Sequence, residues 1–241
     1  MNDGGRATGV RARARAQMIE EILDVAREQL AEQGAGGLSL RAVAREVGMV
    51  SSAIYRYFDS RDALLTALII DAYNSLGEKV EQAECVCERG DLAGRWRAVA
   101  GAVRSWAHDE PHLYALVYGS PVPGYAAPQD TIVPAIRATR VLADIVGDCA
   151  RRGSPSGGGR TTDAASRPSA DVVESIAPLV EFLGSDVPPE LAVHSLMAWT
   201  GIFGFVSFEL FGQLHGAVEA DGAGAVFAAE VDRWADWLGL G

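Results

Sequence analysis

Residues 38–65 read Leu-Ser-Leu-Arg-Ala-Val-Ala-Arg-Glu-Val-Gly-Met-Val-Ser-Ser-Ala-Ile-Tyr-Arg-Tyr-Phe-Asp-Ser-Arg-Asp-Ala-Leu-Leu. Apolar residues recur at helical spacing before Gly48, and a second set begins a few residues after it. Gly48 suits a tight turn, because glycine adopts backbone angles that other residues avoid. Two short amphipathic helices that meet at such a turn, with a third helix following at once, predict a helix-turn-helix of the kind that binds duplex DNA.

The segment after the turn has an inner and an outer face. Ser51 is predicted to cap the second helix, since its hydroxyl can accept a hydrogen bond from a free backbone amide. Ile54 and Phe58 lie four residues apart and are predicted to face inward. Three side chains are then left facing outward: Ser52, Tyr55 and Arg56. Ser60 is predicted to cap the next helix.

Eleven positions carry a resemblance to a known family: Gly48, Val50, Ser51, Ala53, Ile54, Tyr55, Tyr57, Phe58, Arg61, Leu64 and Leu65. This pattern resembles the DNA-binding signature of TetR/AcrR-type regulators, and the close resemblance covers about residues 15–75. The family forms homodimers that bind palindromic operators and release them when a small molecule binds. The resemblance implies an all-α protein, with an N-terminal three-helix helix-turn-helix DNA-binding domain and a C-terminal helical bundle for ligand binding and dimerisation.

The same resemblance implies a set of DNA contacts: Ser39, Arg41, Ser51, Ser52, Ala53, Tyr55, Arg56, Tyr57 and Arg61. Arg56 is predicted to read a guanine edge, because its guanidinium suits that bidentate contact. Tyr55 is predicted to hold a phosphate and set the register on the duplex, and Arg61 to contact a phosphate. Tyr57 either does the same as Tyr55 or belongs partly to the core.

The charge of the chain is unevenly distributed. The net charge is −11, which is unusual for a protein that binds DNA. Residues 1–62 hold nine Arg and nine acidic residues, whereas the remainder holds 12 basic and 23 acidic residues. Four Arg in residues 6–15 have no acidic residue among them. The N-terminal end is therefore locally basic, as binding to a phosphate backbone requires.

Periodicity divides the chain into helices and loops. We expect a flexible basic arm at 1–12, the DNA-binding domain at 13–60 and the ligand-binding and dimerisation domain at 61–241. The predicted helices cover 13–33, 61–86, 91–108, 111–118, 130–150, 171–183, a stretch that begins at Pro188–Pro189, and about 224–238. Residues 151–170 contain no large apolar residue, so we expect a flexible insertion there.

One predicted helix is apolar enough to raise the question of a membrane. Eighteen residues from Leu191 to Phe208 contain no charged side chain, which reaches the lower limit for a membrane span. Scattered polar residues within it, and Glu190 and Glu209 at its ends, oppose that interpretation. Two apolar stripes instead indicate a helix that packs on its own bundle and on a partner.

The resemblance implies that two C-terminal helices form a four-helix dimer interface. The predicted interface residues are Ala198, Gly201, Phe205, Phe208 and Gly212 in the apolar helix, and Phe227, Val231, Trp234 and Leu238 in the last helix. Glycine inside a helix costs ~1 kcal/mol relative to alanine, so Gly201 and Gly204 are each expected to have a steric reason to be small. That reason is close approach to a partner or, alternatively, packing within one protomer.

Seven residues are candidates for an effector pocket: Trp106, His112, Tyr114, Tyr118, Tyr125, Trp199 and Phe203. Together they would line a mainly apolar cavity with a few polar tips, which suits a hydrophobic or aromatic small molecule. Each of them also fits an ordinary core position. The sequence does not identify the effector.

Enzymatic and metal-dependent functions have little support. No nucleophile elbow, phosphate-binding loop or zinc-protease motif is present. His108 and His112 lie four apart, but Pro111 interrupts the helix between them, so neither a metal site nor a cofactor is predicted. We expect a cytoplasmic, nucleoid-associated regulator without a membrane segment, and a repressor. The alternatives are a DNA-binding protein controlled by a protein partner, or a helical enzyme.

Overall fold

A computed structural model describes residues 4–153, 168–219 and 221–241. Across these residues the regular secondary structure is helical, with one isolated β-bridge between His215 and Val218. The helices are α1 (Gly4–Gly37), α2 (Leu40–Glu46), α3 (Arg61–Cys85), α4 (Leu92–Asp109), α5 (Pro111–Tyr118), α6 (Ile132–Ala135), α7 (Arg137–Arg151), α8 (Ala170–Ser175), α9 (Ala177–Leu183), α10 (Pro189–Leu210) and α11 (Ala223–Leu238). Single 3-10 turns occur at Ile54–Arg56 and Gln129–Thr131. The predicted all-α class is confirmed.

The first helix begins earlier than predicted. Residues 4–12, which were expected to form a flexible arm, are the first turns of α1, while residues 1–3 lie outside the described residues. Alternating Arg and Ala at 11–16 explain the difference, because both residue types have high helix propensity. The predicted end is close to the observed one: Gly34, with φ of +67°, interrupts the helix before it ends at Gly37.

The first compact unit combines the described residues up to Asn74 with Glu110–Pro134. Its core joins α1, α2 and α3 through buried side chains such as Ile22, Val43 and Leu64. Four residues from α5 and the loop after it pack against this core: Leu116, Val117, Val122 and Tyr125. The division therefore differs from the predicted boundary at residue 60, because apolar residues far along the chain complete the core of the first unit.

The second unit comprises Ser75–Asp109 and the described part of Ala135–Gly241. Helix α4 lies at its centre and packs on α7, α10 and α11. Trp96 of α4 is 1% exposed, and its indole Nε1 donates to the carbonyl oxygen of Val231 in α11 at 3.0 Å. This bond satisfies the indole N–H that the apolar interior would otherwise leave unpaired.

Two predicted helices are interrupted. The helix predicted at 130–150 is a 3-10 turn, α6 and α7, and the one predicted at 171–183 is α8 followed by α9. Pro134 and Pro178 lie close to the two breaks, where each lacks the N–H that a continuous helix needs. The predictions for α3, α4, α5, α10 and α11 are confirmed to within two residues. Most of the predicted insertion, residues 154–167, lies outside the described residues.

Helix α10 is long and apolar enough to cross a membrane by length and composition, with a mean hydropathy of 1.5 in its most apolar window. It nevertheless serves as a core helix of the second unit. It packs on α4, α9 and α11, and Ala198, Ile202 and Val206 are fully buried in that packing. Burial against other helices accounts for its apolar composition without a membrane.

Candidate nucleic-acid interface

The turn after α2 is built on Gly48. Its φ is +80°, a conformation that favours glycine because a Cβ would be strained there. The amide of Met49 donates to the carbonyl oxygen of Ala44 at 2.8 Å, which closes the helix end. The turn is as predicted, and it directs the chain into the segment that precedes α3.

That segment is shorter and tighter than the predicted recognition helix. Only Ile54–Arg56 forms a 3-10 helix, with turns at 51–53 before it. The N-terminal capping position is Ala53, without a side-chain hydrogen bond, so the predicted cap at Ser51 is wrong. The amide of Ala53 instead donates a hydrogen bond to the carbonyl oxygen of Val50 at 2.8 Å, so a backbone hydrogen bond takes the place of the side-chain cap.

The orientation of the segment is as predicted. Ile54 is fully buried and Phe58 is 8% exposed, and both belong to the core of the first unit. Ser51, Ser52, Tyr55 and Arg56 are exposed, and Ala53 is half-buried. The predicted cap at Ser60 is confirmed, since its Oγ accepts from the amide of Ala63 at 3.1 Å. The buried side chains of Ile54 and Phe58, together with the capped start of α3, hold the exposed residues of this segment in place.

Tyr57 is half-buried and packs against the core, so the alternative that it belongs partly to the core is correct. The guanidinium of Arg15 lies 5.3 Å from the centre of its ring, within the range of a cation–π contact. Arg15 also donates from Nη2 to the carbonyl oxygen of Arg56 at 3.3 Å. Sequence reasoning noted the basic run but missed that α1 reaches this surface.

Arg61 was predicted to contact a phosphate, but it also has a structural role that the sequence did not reveal. Its Nε donates to the carbonyl of Leu38 at 3.1 Å, and its Nη2 to that of Ala35 at 2.6 Å. Its Nη1 lies 3.7 Å from a carboxylate oxygen of Asp62. Two N–H donors of the guanidinium are therefore already hydrogen-bonded, to carbonyl oxygens in the last turn of α1 and just before α2.

The start of α2 carries the remaining predicted contacts. Ser39 is half-buried, and its amide donates to Oε1 of Gln29 at 3.4 Å. Arg41 is exposed in the first turn of α2, and Arg45 is exposed one turn later. Arg45 was not among the predicted contacts. Arg15 and Arg56, like Arg41 and Arg45, are exposed on the first unit.

The seven candidate effector residues do not form a single group. In the first unit the Tyr118 ring lies 5.1 Å from Tyr114 and 6.2 Å from Tyr73, and burial raises the Tyr118 pKa. Tyr125 hydrogen-bonds to Thr66 at 2.9 Å, and His112 is exposed. In the second unit Trp199 and Phe203 are in contact with ring centres 4.5 Å apart, whereas Trp106 donates to Ser75 at 3.0 Å.

A cavity of about 400 Å³ in the second unit contains none of those seven residues. It is lined by Gly90, Asp91, Leu92, Ala93, Cys149, Arg152, Gly153, Gly239, Leu240 and Gly241. Four of these ten residues are glycines and none is aromatic. Among the described residues, no group of three or more His, Cys, Asp or Glu is arranged to hold a metal ion.

The predicted dimer residues are mostly buried within one protomer, so this assignment is corrected. Five of them form part of the core of the second unit: Ala198, Phe205, Phe227, Val231 and Leu238. A Cβ on Gly201 would overlap the ring of Trp234 in the same chain, which explains why this position is glycine. Phe208 and Gly212 remain exposed. The Phe205 ring lies 5.3 Å from that of Phe227, so the buried part of this stripe packs on α11 of the same chain.

A buried charge cluster in the second unit was not predicted. Arg95 is 1% exposed, and it donates to Glu84 at 2.6 Å and to Asp148 at 2.7 Å. Burial alone would raise the pKa of the Asp148 carboxyl, but hydrogen bonds from Arg95, Arg151 and Arg89 lower it to about 2. The cluster fixes α4 against α3 and α7, because a buried guanidinium is tolerated only when its donors are paired.

Two family domains match this arrangement. Bacterial regulatory proteins of the tetR family match residues 22–68, and the tetracyclin repressor-like C-terminal domain matches residues 96–234. The HTH-type transcriptional regulator Rv1816 of Mycobacterium tuberculosis is 42% identical over 228 residues, which cover 92% of each chain. The regulator Mb1846 of Mycobacterium bovis has the same identity and coverage. The chain belongs to the TetR family.

Solved structures support the same assignment. The TetR-family chain is similar to the crystal structure of the regulatory protein SCO4313, with a TM-score of 0.72 and 35% identity, over 92% of this chain and 97% of that one. The TetR regulator PfmR from Thermus thermophilus has a TM-score of 0.55 at 16% identity, over 88% and 96% of the two chains, and shows the shared fold alone. A TetR-family protein of this kind is a cytoplasmic DNA-binding regulator of transcription rather than an enzyme.

Proposed function

We propose that this TetR-family regulator is a homodimeric repressor that binds a palindromic operator and releases it when a small hydrophobic effector binds. The observation that carries the DNA-binding part is the geometry of the segment 51–58. Ile54 and Phe58 are locked in the core, so Tyr55 and Arg56 are presented to solvent from a short rigid turn. Each protomer would place this turn in a major groove.

Within the turn, the side chains divide by chemistry. Arg56 is assigned to a guanine edge, for which its guanidinium is suited. Tyr55 and the exposed Arg41 are assigned to phosphates, which set the register. The assignment of Ser39, Ser51, Ser52 and Ala53 to the same interface is supported by their position on either side of the Gly48 turn. Tyr57 is assigned a supporting role, because its ring packs on the core and contacts Arg15.

The dimer is supported by a set of exposed residues that shares only Phe208 with the interface predicted from the sequence. Large apolar side chains remain exposed on α10, directly after its end and on α11: Leu196, Met197, Phe208, Phe211, Val226 and Trp237. Trp237 stacks on His194 of α10 with ring centres 4.2 Å apart, so exposed residues of α11 lie beside those of α10, on which it packs. Contiguous exposed apolar surface of this kind marks an interaction site. A second copy of α10 and α11 would complete a four-helix contact around a two-fold axis.

Regulation is proposed to act through α3. This helix contributes Leu64 and Leu68 to the core of the first unit and Leu76 and Val80 to buried positions in the second. A ligand that shifts the second half of α3 would change the spacing of the two recognition turns in a dimer, and operator spacing is fixed by the helical repeat of DNA. Control by a protein partner remains the second possibility for the same element.

The deciding experiment is selection of bound sequences from random duplexes, followed by fluorescence anisotropy on the selected operator. Arg56→Ala should lose ~10–100-fold in affinity for the operator and relax the preference at one base pair in each half-site. Arg97→Ala is the matched control, since it removes an equal charge from an exposed pair with Asp232 in the second unit. Failure to select any sequence would exclude specific DNA binding.

Dimerisation and effector release need separate measurements. Met197→Glu with Phe208→Glu should shift the protein to a monomer in analytical ultracentrifugation, while Val86→Glu, at a more exposed apolar position outside α10 and α11, should leave it dimeric. A monomer should bind a single half-site weakly, because the second contact is lost. A panel of hydrophobic and aromatic compounds, read by thermal shift and by operator release, tests the effector. Release by a protein alone would favour the partner-controlled alternative.

A further inference from the structure

The N-terminal turns of α1 have no inward face. Every residue from Gly9 to Gln17 is exposed, including Val10 at 62%. A helix that is polar all round is usually stabilised by something other than core burial. Here the Arg and Ala content favours the helical state, while the side chains remain available to a partner.

One residue of this extension is fixed to the recognition turn. Arg15 donates from Nη2 to the carbonyl oxygen of Arg56, and its guanidinium stacks on Tyr57. Both contacts lie within the first unit. The side of α1 that carries Arg15 therefore lies next to the residue assigned to base reading.

Arg11 lies on the same side of α1 as Arg15, about one helical turn closer to the N-terminus. Arg11 precedes Arg15 by four residues, which places it about 40° around the axis and ~6 Å further along it. Arg13 lies on the opposite side, about 160° from each of the other two. No acidic residue occurs from Gly4 to Ile19, so the charge of this surface is not neutralised locally.

We infer that residues 9–16 form a second DNA-binding element, in which Arg11 and Arg15 contact phosphates of the same duplex beside the bases read by Arg56. The occupant is the phosphodiester backbone, because the surface is a row of guanidinium groups without apolar anchors and adjoins the recognition turn. This inference rests on the proposed operator binding, and it adds a contact outside the helix-turn-helix itself.

The test is the salt dependence of operator binding for two variants that lose the same charge from the same helix. Arg11→Ala should reduce the magnitude of the slope of log K against log salt by ~0.9 per half-site. For a dimer, the wild-type affinity divided by the variant affinity should therefore change roughly tenfold when the salt concentration rises from 50 to 200 mM. Arg13→Ala should leave the slope nearly unchanged, and the helicity of both variants is checked by circular dichroism.

Two further measurements separate the outcomes. Arg11→Ala should keep the wild-type base preference, and its defect should disappear on a duplex trimmed to the operator core, which lacks the flanking phosphates. Equal defects for Arg11→Ala and Arg13→Ala would reduce the effect to overall charge and overturn the inference. If Arg11→Ala binds the operator like wild type while Arg56→Ala binds it more weakly, the inference is overturned but the proposed function stands. If the wild type binds no specific sequence, the proposed function is overturned as well.

Discussion

Arg61 holds the carbonyl oxygen of Ala35 at 2.6 Å from its Nη2, across 26 residues of sequence. Its Nε reaches the carbonyl of Leu38 at the same time. A charged donor on two backbone carbonyls ties the end of α1 and the start of α2 to the first turn of α3. Residues at this position are easily taken for phosphate ligands from sequence, yet the arrangement makes Arg61 part of the framework that supports the recognition turn.

Arg61→Ala is therefore expected to destabilise the protein. The loss should be about 1–2 kcal/mol, since two hydrogen bonds to a charged donor disappear while water replaces part of them at a half-buried site. Urea unfolding followed by circular dichroism measures it. Arg41→Ala, which removes an exposed arginine from α2, should change the stability by less than ~0.5 kcal/mol. If Arg61→Ala is as stable as wild type but binds all duplexes more weakly, the phosphate assignment is restored.

Gly201 and Gly204 provide a matched pair in α10. A Cβ at Gly201 would overlap Trp234, whereas a Cβ at Gly204 would meet nothing within 4 Å. Gly201→Ala should lower the free energy of unfolding by about 1–2 kcal/mol, because overpacking outweighs the gain in helix propensity. Gly204→Ala should raise it by roughly 0.5–1 kcal/mol through propensity alone. Thermal unfolding distinguishes them, and equal stabilisation by both changes would contradict the packing of Trp234 on α10.

The charge cluster around Asp148 predicts a specific acid sensitivity. The pKa of Asp148 is lowered from 3.8 to about 2 in the folded protein, so its contribution to stability is complete above pH 3.8 and is lost as the pH falls toward 2. We expect about 1–2 kcal/mol to disappear over that interval, after allowance for its partial exposure.

The variant Asp148→Asn tests this directly. At pH 7 it should be less stable than wild type by about 2–3 kcal/mol, because Arg95 then lacks one charged partner in a buried site. The difference between the two proteins should narrow as the pH falls from 4 to 2. Asp232→Asn removes a carboxylate from an exposed pair with Arg97, and it should change stability by less than ~0.5 kcal/mol at any pH. A constant difference for Asp148→Asn would show that its charge is not what stabilises the cluster.

The three cysteines should differ in reactivity. Cys85 is exposed and Cys87 half-buried, whereas Cys149 is 2% exposed with its thiol directed at the carbonyls of Leu238 and Gly239. Labelling with a colorimetric thiol reagent should modify two thiols of the native protein in a fast phase. The third should react only at a rate limited by opening of the structure, because access governs thiol reactivity. Three fast thiols would mean that the segment over Cys149 opens readily.

The features that the sequence could predict are those set by residues close together in the chain. The spacing of Ile54 and Phe58, the glycine at the turn and the serine before α3 act within a few residues, so each was readable from the sequence. Arg61, the Gly201–Trp234 contact and the buried Arg95 could not be read in this way, because their partners lie between 11 and 53 residues away. The burial of most predicted dimer residues in their own chain could not be read for the same reason: a helix that is apolar on two sides does not reveal which side meets its own bundle.

The stack of Trp237 on His194 has a spectroscopic consequence. Of the five tryptophans, all within the described residues, Trp237 is the exposed one, while Trp96 and Trp106 are buried and Trp199 and Trp234 are half-buried. Its emission therefore reports on the surface proposed to meet a second copy, and an aqueous quencher such as iodide reaches this indole first. The chain thus carries an intrinsic optical reporter of its own association, readable on dilution without any attached dye.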